Sequence, residues 1–228
     1  MKKQPLISIF ILICHGYNSA KSENEKFIND AIDSLLKQSY ANFELIIATS
    51  KTQESYPEHI RKDHRIKLID TGQKSKEGSF AQAITYASGE YYMIADNKSR
   101  WDQTYLETLA DYLTKHQEID LYYANAYLID DNNNVIGKFP NSADAIYSYI
   151  FSPLSNLSRY LINRNSVPVL FGLFRKKAFL DIAFSKNTDS TNNNPTYDYF
   201  ISNLFIKRKR VHFIDRTLFY YSGKNHPK

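Results

Sequence analysis

The sequence predicts an α/β fold of three layers, with a mostly parallel central sheet between two layers of helices. Strand-length apolar runs alternate with stretches of helical spacing through the first 130 residues, and that alternation requires parallel pairing with right-handed crossovers. With 228 residues, 43% hydrophobic and 14% aromatic, the chain can bury one sizeable core and is too rich in aromatic residues for disorder. No linker or internal repeat divides it, so one domain is expected over 1–228, regular through residue 130 and less regular over 131–228.

The first element is Ile7-Ser8-Ile9-Phe10-Ile11-Leu12-Ile13, a β-branched run bounded by Pro5 and by His15-Gly16. It reads as a buried parallel strand. Lys2 and Lys3 ahead of it and Asn18-Ser19-Ala20 behind it also fit a secretory signal. The strand reading is preferred, because the strands that follow need a first partner there. Ser22 and Glu25 form a capping-box pattern, and Phe27, Ile28, Ala31, Ile32, Leu35 and Leu36 recur on one helical face.

A turn through Tyr40-Ala41-Asn42 leads to a second strand, Phe43 to Ala48. A weak helix follows at Pro57–Lys62, then a third strand over Ile66–Ile69. A small-residue helix from Ser79 to Ala87 is expected to end on Gly89 as its C-cap. Tyr91–Ala95 reads as the fourth strand, Tyr105, Leu106, Leu109, Tyr112 and Leu113 as the face of a helix, and Leu121–Ile129 as a long strand. Asp130–Asn134 is a turn that closes a hairpin with Val135–Phe139. Residues 141–165 read as irregular, Val169–Phe174 as a strand, and Lys176 as the start of a short helix. A polar loop (Asn187–Pro195), a helix (Tyr197–Lys207) and two strands (Val211–Ile214 and Leu218–Tyr221) complete the chain.

Composition narrows the function. A single cysteine excludes a disulfide framework and any Cys-based zinc or iron–sulfur site within one chain. No run of about 18 apolar residues offers a transmembrane helix. The net charge of +5 suits an anionic ligand or a membrane surface. Lys207-Arg208-Lys209-Arg210 lacks interleaved aromatics, so no nucleic-acid partner is expected; the run reads as a solvated helix end or as a contact to anionic lipid. In an open parallel sheet, ligands bind beyond the carboxyl ends of the strands. Those ends are Cys14-His15, Ala48-Thr49-Ser50, Asp70-Thr71 and Asp96-Asn97-Lys98.

Several segments, in order, resemble the family 2 inverting nucleotide-sugar glycosyltransferases. They are Pro5–Ile9, the stretch Ala31-Ile32-Asp33-Ser34-Leu35-Leu36-Lys37-Gln38-Ser39-Tyr40-Ala41-Asn42-Phe43-Glu44-Leu45-Ile46-Ile47, Ala87-Ser88-Gly89-Glu90-Tyr91, Leu106-Glu107, His116–Asp120 and Leu218-Phe219-Tyr220-Tyr221. The resemblance implies a GT-A fold, with 1–130 as the nucleotide-sugar half and 131–228 as the acceptor half. It implies transfer of a sugar from a nucleotide diphosphate to a glycan, lipid-linked or protein acceptor with inversion, as in polysaccharide biosynthesis. The expected place is the cytoplasm, peripheral to the inner face of the membrane.

That chemistry needs a base-recognising group, a group that neutralises the leaving diphosphate, and a general base. The family's acidic pair for the nucleobase falls on Thr49 and Ser50. These two either contact the base through their hydroxyls or form a plain polar turn, with Glu54 close enough in sequence to substitute. The family's Asp-x-Asp metal motif falls on Asp96-Asn97-Lys98. Mg²⁺ or Mn²⁺ is implied by the resemblance and opposed by Lys98, because an ammonium cannot ligate a cation. Three readings stay open: ordinary metal binding at Asp96, metal-free transfer with Lys98 against the diphosphate, or a lost site. Asp198 matches the catalytic base, or is a plain N-terminal helix Asp. Trp101 resembles an aromatic that packs below a donor sugar, and His15 is placed to line the base pocket. Lys74 and Lys76 are phosphate contacts or surface lysines. The competing class is a glycosyltransferase-like binding or accessory subunit without catalysis.

Overall fold

In the computed structural model, residues 4–13, 23–72, 76–130, 132–138, 167–184 and 210–222 are described. Alternation along the strands sorts their side chains into two cores. In β1 (Ile7–Ile13) the isoleucines at 7, 9, 11 and 13 face one side and Phe10 and Leu12 the other. β2 (Phe43–Thr49), β3 (Ile66–Asp70) and β4 (Tyr91–Ala95) run parallel to it. One core is closed by α1 (Glu23–Leu36), α2 (Glu58–Lys62) and α4 (Tyr105–Lys115). The other is closed by α3 (Lys76–Thr85) and α6 (Lys176–Ala183). This is the expected three-layer α/β/α arrangement. Phe10, Tyr92 and Phe179 meet within it at centroid distances of 5.3–5.9 Å.

The sheet order is β3-β2-β1-β4-β8-β6-β9-β5, with β7 on β6. β6 (Leu121–Ile129) pairs in parallel with β9 (Val211–Tyr221), while β8 (Leu173–Arg175) runs antiparallel between β4 and β6. β5 (Arg100–Trp101) borders β9, and β7 (Val135–Lys138) closes the expected hairpin.

Three sequence expectations are corrected. Val169–Phe174 is not one strand: α5 (Val167–Leu170) precedes the short β8. Pro168 has no N–H for a ladder and suits a first helical turn. The two final strands are one strand, β9, whose register against β6 slips so that Ala124 faces Ile214 but Asn125 faces Thr217. The Asn125 amide fastens the slipped segment by donating to Asp215 at 3.1 Å. Gly89 is no left-handed C-cap, since Gly72 is the only described glycine at positive φ. It permits a close approach instead: a Cβ there would lie 2.6 Å from the Ser8 nitrogen and 2.9 Å from the Leu6 oxygen. The expected loop and helix over 187–207, the irregular stretch 141–165 and Phe139 lie outside the described residues.

Polar contacts fix this frame. At the amino ends of the strands, buried Glu44 accepts from the Ser8 hydroxyl at 2.5 Å and the Ser88 amide at 2.6 Å, and pairs with Lys67 at 2.7 Å. The Gly89 amide donates to the same Ser8 hydroxyl at 2.8 Å. Gln38 accepts from the Leu106 amide at 2.9 Å and donates to the Asp102 carbonyl at 2.7 Å, so it ties the end of α1 to the start of α4. Arg175 closes the far end of α4 by donating to the carbonyls of Leu113, His116 and Ile119 at 2.6, 2.9 and 2.7 Å. Among the described residues, no helix is long and apolar enough to cross a membrane.

Candidate functional site

The register brings the carboxyl ends of four strands side by side. Ile13 lies opposite Thr49, Thr49 opposite Asp70, and Ile11 opposite Ala95 just before Asp96. Neighbouring strands stand about 4.8 Å apart, so the tips of β1 to β4 form one mouth. His15, Cys14, Lys74 and Asp198 lie outside the described residues.

Thr49 and Ser50 differ sharply. The buried Thr49 hydroxyl accepts from the Tyr56 hydroxyl at 2.9 Å and from the Lys51 amide at 3.0 Å, and its carbonyl accepts from the Thr71 amide at 2.9 Å. It is engaged within the fold. The Ser50 hydroxyl is buried at the same strand end with no partner. That unmet group can both donate to and accept from a ligand. Glu54 stands exposed on a short 3₁₀ turn, Gln53–Ser55.

At the tip of β4 the chain turns through Asp96-Asn97-Lys98-Ser99. The Asp96 carboxylate accepts from the Ser99 hydroxyl at 3.0 Å and the Lys98 amide at 3.3 Å. Burial pushes its carboxyl above the ordinary value; Ser99, the Lys98 amide and the Lys98 ammonium pull it only partly back. Tyr221, from the end of β9, is raised in turn by burial and by the Asp96 charge. Ser99 was missed in the sequence. Its signal was the spacing, a hydroxyl three residues after an aspartate in a turn, which holds the carboxylate through the donors that follow it.

Among the described residues, the tip of β4 offers a divalent cation a single carboxylate. Asp96 is the one carboxylate between Ala95 and Trp101, and Lys98 and Arg100 add two positive charges. Among the described residues no three His, Cys, Asp or Glu side chains group to hold a metal ion. Trp101 is 4% exposed and packs in the core between α1 and β9, its backbone amide donating to the Ser34 hydroxyl at 3.2 Å. Of the basic run only Arg210 is described; its amide donates to Asp120 at 2.9 Å.

Residues 13–183 match the model of glycosyl transferase family 2. The chain belongs to that family. This glycosyl transferase is 30% identical over 142 residues to an uncharacterised glycosyltransferase of Methanocaldococcus jannaschii, a match covering 60% of this chain and 47% of that one. It is 32% identical over 131 residues to the UDP-Glc:alpha-D-GlcNAc-diphosphoundecaprenol beta-1,3-glucosyltransferase WfgD of Escherichia coli, covering 56% and 49%. The chain thus spans about half the length of these curated relatives. Its fold is that of S. aureus TarS in complex with UDP-GlcNAc, with a TM-score of 0.63 at 15% identity over 97% of this chain and 59% of that one. The tip residues 49–50 and 96–98 lie inside the family match, and Asp198 lies beyond it.

Proposed function

We propose that this glycosyl transferase moves a sugar from a uridine-diphosphate donor to a glycan acceptor with inversion, and does so without a bound metal. The observation that supports the metal-free reading is the tip of β4, where Asp96 stands as a single carboxylate with Lys98 two residues on, at the position the resemblance gives to a second ligand. The donor assignment is supported by WfgD, named for UDP-glucose, and by the UDP-GlcNAc complex of TarS. WfgD's acceptor, a sugar on diphosphoundecaprenol, supports a lipid-linked glycan. The charge of +5 suits work at the cytoplasmic membrane surface.

In this reading the unmet Ser50 hydroxyl takes the nucleobase, and Asp96, aligned by Ser99, accepts from the donor ribose. The acceptor oxygen attacks the anomeric carbon as the bond to the diphosphate oxygen breaks. Asp198 takes the acceptor's proton, and the Lys98 ammonium offsets the charge on the departing nucleotide. Residues 141–195 select the acceptor.

The test is melting temperature with UDP, UDP-glucose and UDP-GlcNAc, in EDTA and in Mn²⁺. A ligand at about 100 times its Kd adds about 2.7 kcal/mol, or roughly 5–11 °C for a domain of this size. The expected result is a shift in EDTA that Lys98→Ala removes. A shift that requires Mn²⁺ sinks the metal-free reading. No shift with any nucleotide leaves a binding subunit without catalysis.

A further inference from the structure

The turn at the tip of β4 leads directly into β5, and β5 lies antiparallel on the end of β9, with Trp101 opposite Phe219 and Arg100 opposite Tyr220. One step further in the same count, Ser99 stands opposite Tyr221, the last residue of β9. Directly opposed residues of an antiparallel pair share a face, with Cβ atoms about 4.5–5.5 Å apart. Ser99 is the residue whose hydroxyl holds the Asp96 carboxylate, at 3.0 Å. Tyr221 therefore comes to the site from the second half of the chain, on the face where Ser99 meets Asp96.

The fold fixes its ring. Tyr221 packs on Phe171, with centroids 5.9 Å apart and 37° between the ring planes. Phe171 is itself buried, and its carbonyl accepts from the buried Tyr105 hydroxyl at 2.6 Å. The backbone of Tyr221 is registered against Leu128 of β6. Ligand access remains, because Tyr221 and Asp96 are both only part-buried. The Tyr221 hydroxyl also lies close enough to Asp96 to feel its charge, which together with burial keeps the phenol protonated. It is thus an uncharged O–H donor at neutral pH.

Such a donor suits the strand mouth. A departing diphosphate presents several oxygens, and one lysine ammonium cannot meet them all. A phenol adds a donor without adding a charge beside Asp96. We propose that Tyr221 is a second contact to the leaving group, its hydroxyl donating to the phosphate that carries the sugar. This rests on the transferase reading above. As the bond between the anomeric carbon and the phosphate oxygen breaks, its electron pair stays on that oxygen. The Lys98 ammonium and the Tyr221 hydroxyl donate to the phosphate as its charge grows, and the phenol keeps its proton throughout. A fixed donor aimed at developing charge favours the transition state over the bound donor.

Tyr221→Phe removes the hydroxyl and leaves the ring on Phe171. Tyr220→Phe is the control, a neighbouring hydroxyl on the opposite face of β9 whose ring stacks on Tyr127 at 5.6 Å. UMP and UDP are titrated calorimetrically into the wild type and both variants in EDTA. In Tyr221→Phe, UDP should bind about ten-fold more weakly, or about 1.4 kcal/mol. UMP, which lacks the terminal phosphate, should change by less than about two-fold, melting temperature should not move, and Tyr220→Phe should match the wild type. Equal UDP affinity in wild type and Tyr221→Phe overturns the proposal. So does a loss shared equally by UMP and UDP, or one of the same size in Tyr220→Phe. If binding requires Mn²⁺, the metal-free reading falls, and the same comparison in Mn²⁺ decides Tyr221 by itself. A wild type that binds UDP in neither condition overturns both.

Discussion

Replacing Glu44 by glutamine tests the bracket that seats β4, the strand that carries Asp96. The carboxylate holds three donors, the Ser8 hydroxyl at 2.5 Å, the Ser88 amide at 2.6 Å and the Lys67 ammonium at 2.7 Å. Glutamine keeps one acceptor oxygen. If that oxygen serves Ser8 and Ser88, the new amide NH₂ faces the Lys67 ammonium; if it serves Lys67, two buried donors face a donor. Lys67 is 40% exposed and also donates to the Tyr86 carbonyl, so it escapes to water at little cost. The loss then falls on the two buried, charge-assisted bonds, at about 2 kcal/mol. That is a fall of roughly 4–8 °C in melting temperature. Burial alone would raise the Glu44 carboxyl, but Lys67, Ser8 and Ser88 outweigh it and hold it below the ordinary glutamate value. A depressed native value means that the unfolded chain binds more protons in that window, so stability is lost as pH falls through the native value. Glutamine has no such titration. Urea unfolding followed by circular dichroism, at about pH 7 and stepwise down to about pH 3, should show the gap between the two proteins closing only below the ordinary glutamate value. A gap that is absent at neutral pH, or equally wide at every pH, would refute the bracket.

Two further substitutions probe the frame. Gly89→Ala sets a Cβ 2.6 Å from the Ser8 nitrogen and 2.9 Å from the Leu6 oxygen, backbone atoms that cannot rotate away. It should cost about 3 kcal/mol or more in a urea titration, and a loss below about 1 would show that the strands can part. Arg175→Ala uncaps α4 by removing the donors to Leu113, His116 and Ile119. About 3 kcal/mol should be lost, or roughly 6–12 °C by calorimetry, with Arg175→Lys recovering only part of it, since an ammonium cannot span all three carbonyls.

Legibility in the sequence followed burial. β1, β2 and β4 are covered on both faces, so they read as continuous apolar runs between turn residues, and their limits were visible to within a residue or two. β5 was invisible: two residues, one of them Arg100, carry no period, and only the pairing with Phe219 and Tyr220 makes them a strand. β8 hid behind Pro168 and Gly172 in what looked like one apolar run. The strand alternation was enough to set the carboxyl ends of β1 to β4 side by side, without any side-chain information. What it could not separate was Thr49 from Ser50. The hydroxyl that occupies Thr49 comes from Tyr56, seven residues on and past a 3₁₀ turn, a contact that no local pattern encodes. Arg175 escaped for the same reason, because its three acceptors lie more than fifty residues away.

Two groups of polar residues lie at opposite ends of the same strands. Ser8, Glu44 and Gly89 lock the amino ends, while Thr49, Ser50 and Asp96–Lys98 occupy the carboxyl ends. A strand of seven residues spans roughly 20 Å, farther than a buried hydrogen-bond network of this kind reaches. The tip can therefore exchange a carboxylate for an ammonium without disturbing the bracket, and the bracket can hold whatever the tip does. Family membership leaves the chemistry of the tip undetermined. Stability measurements will report on Glu44, Gly89 and Arg175 and stay silent on Lys98. Only nucleotide binding in the absence of metal reads the charge that Lys98 places at the tip of β4.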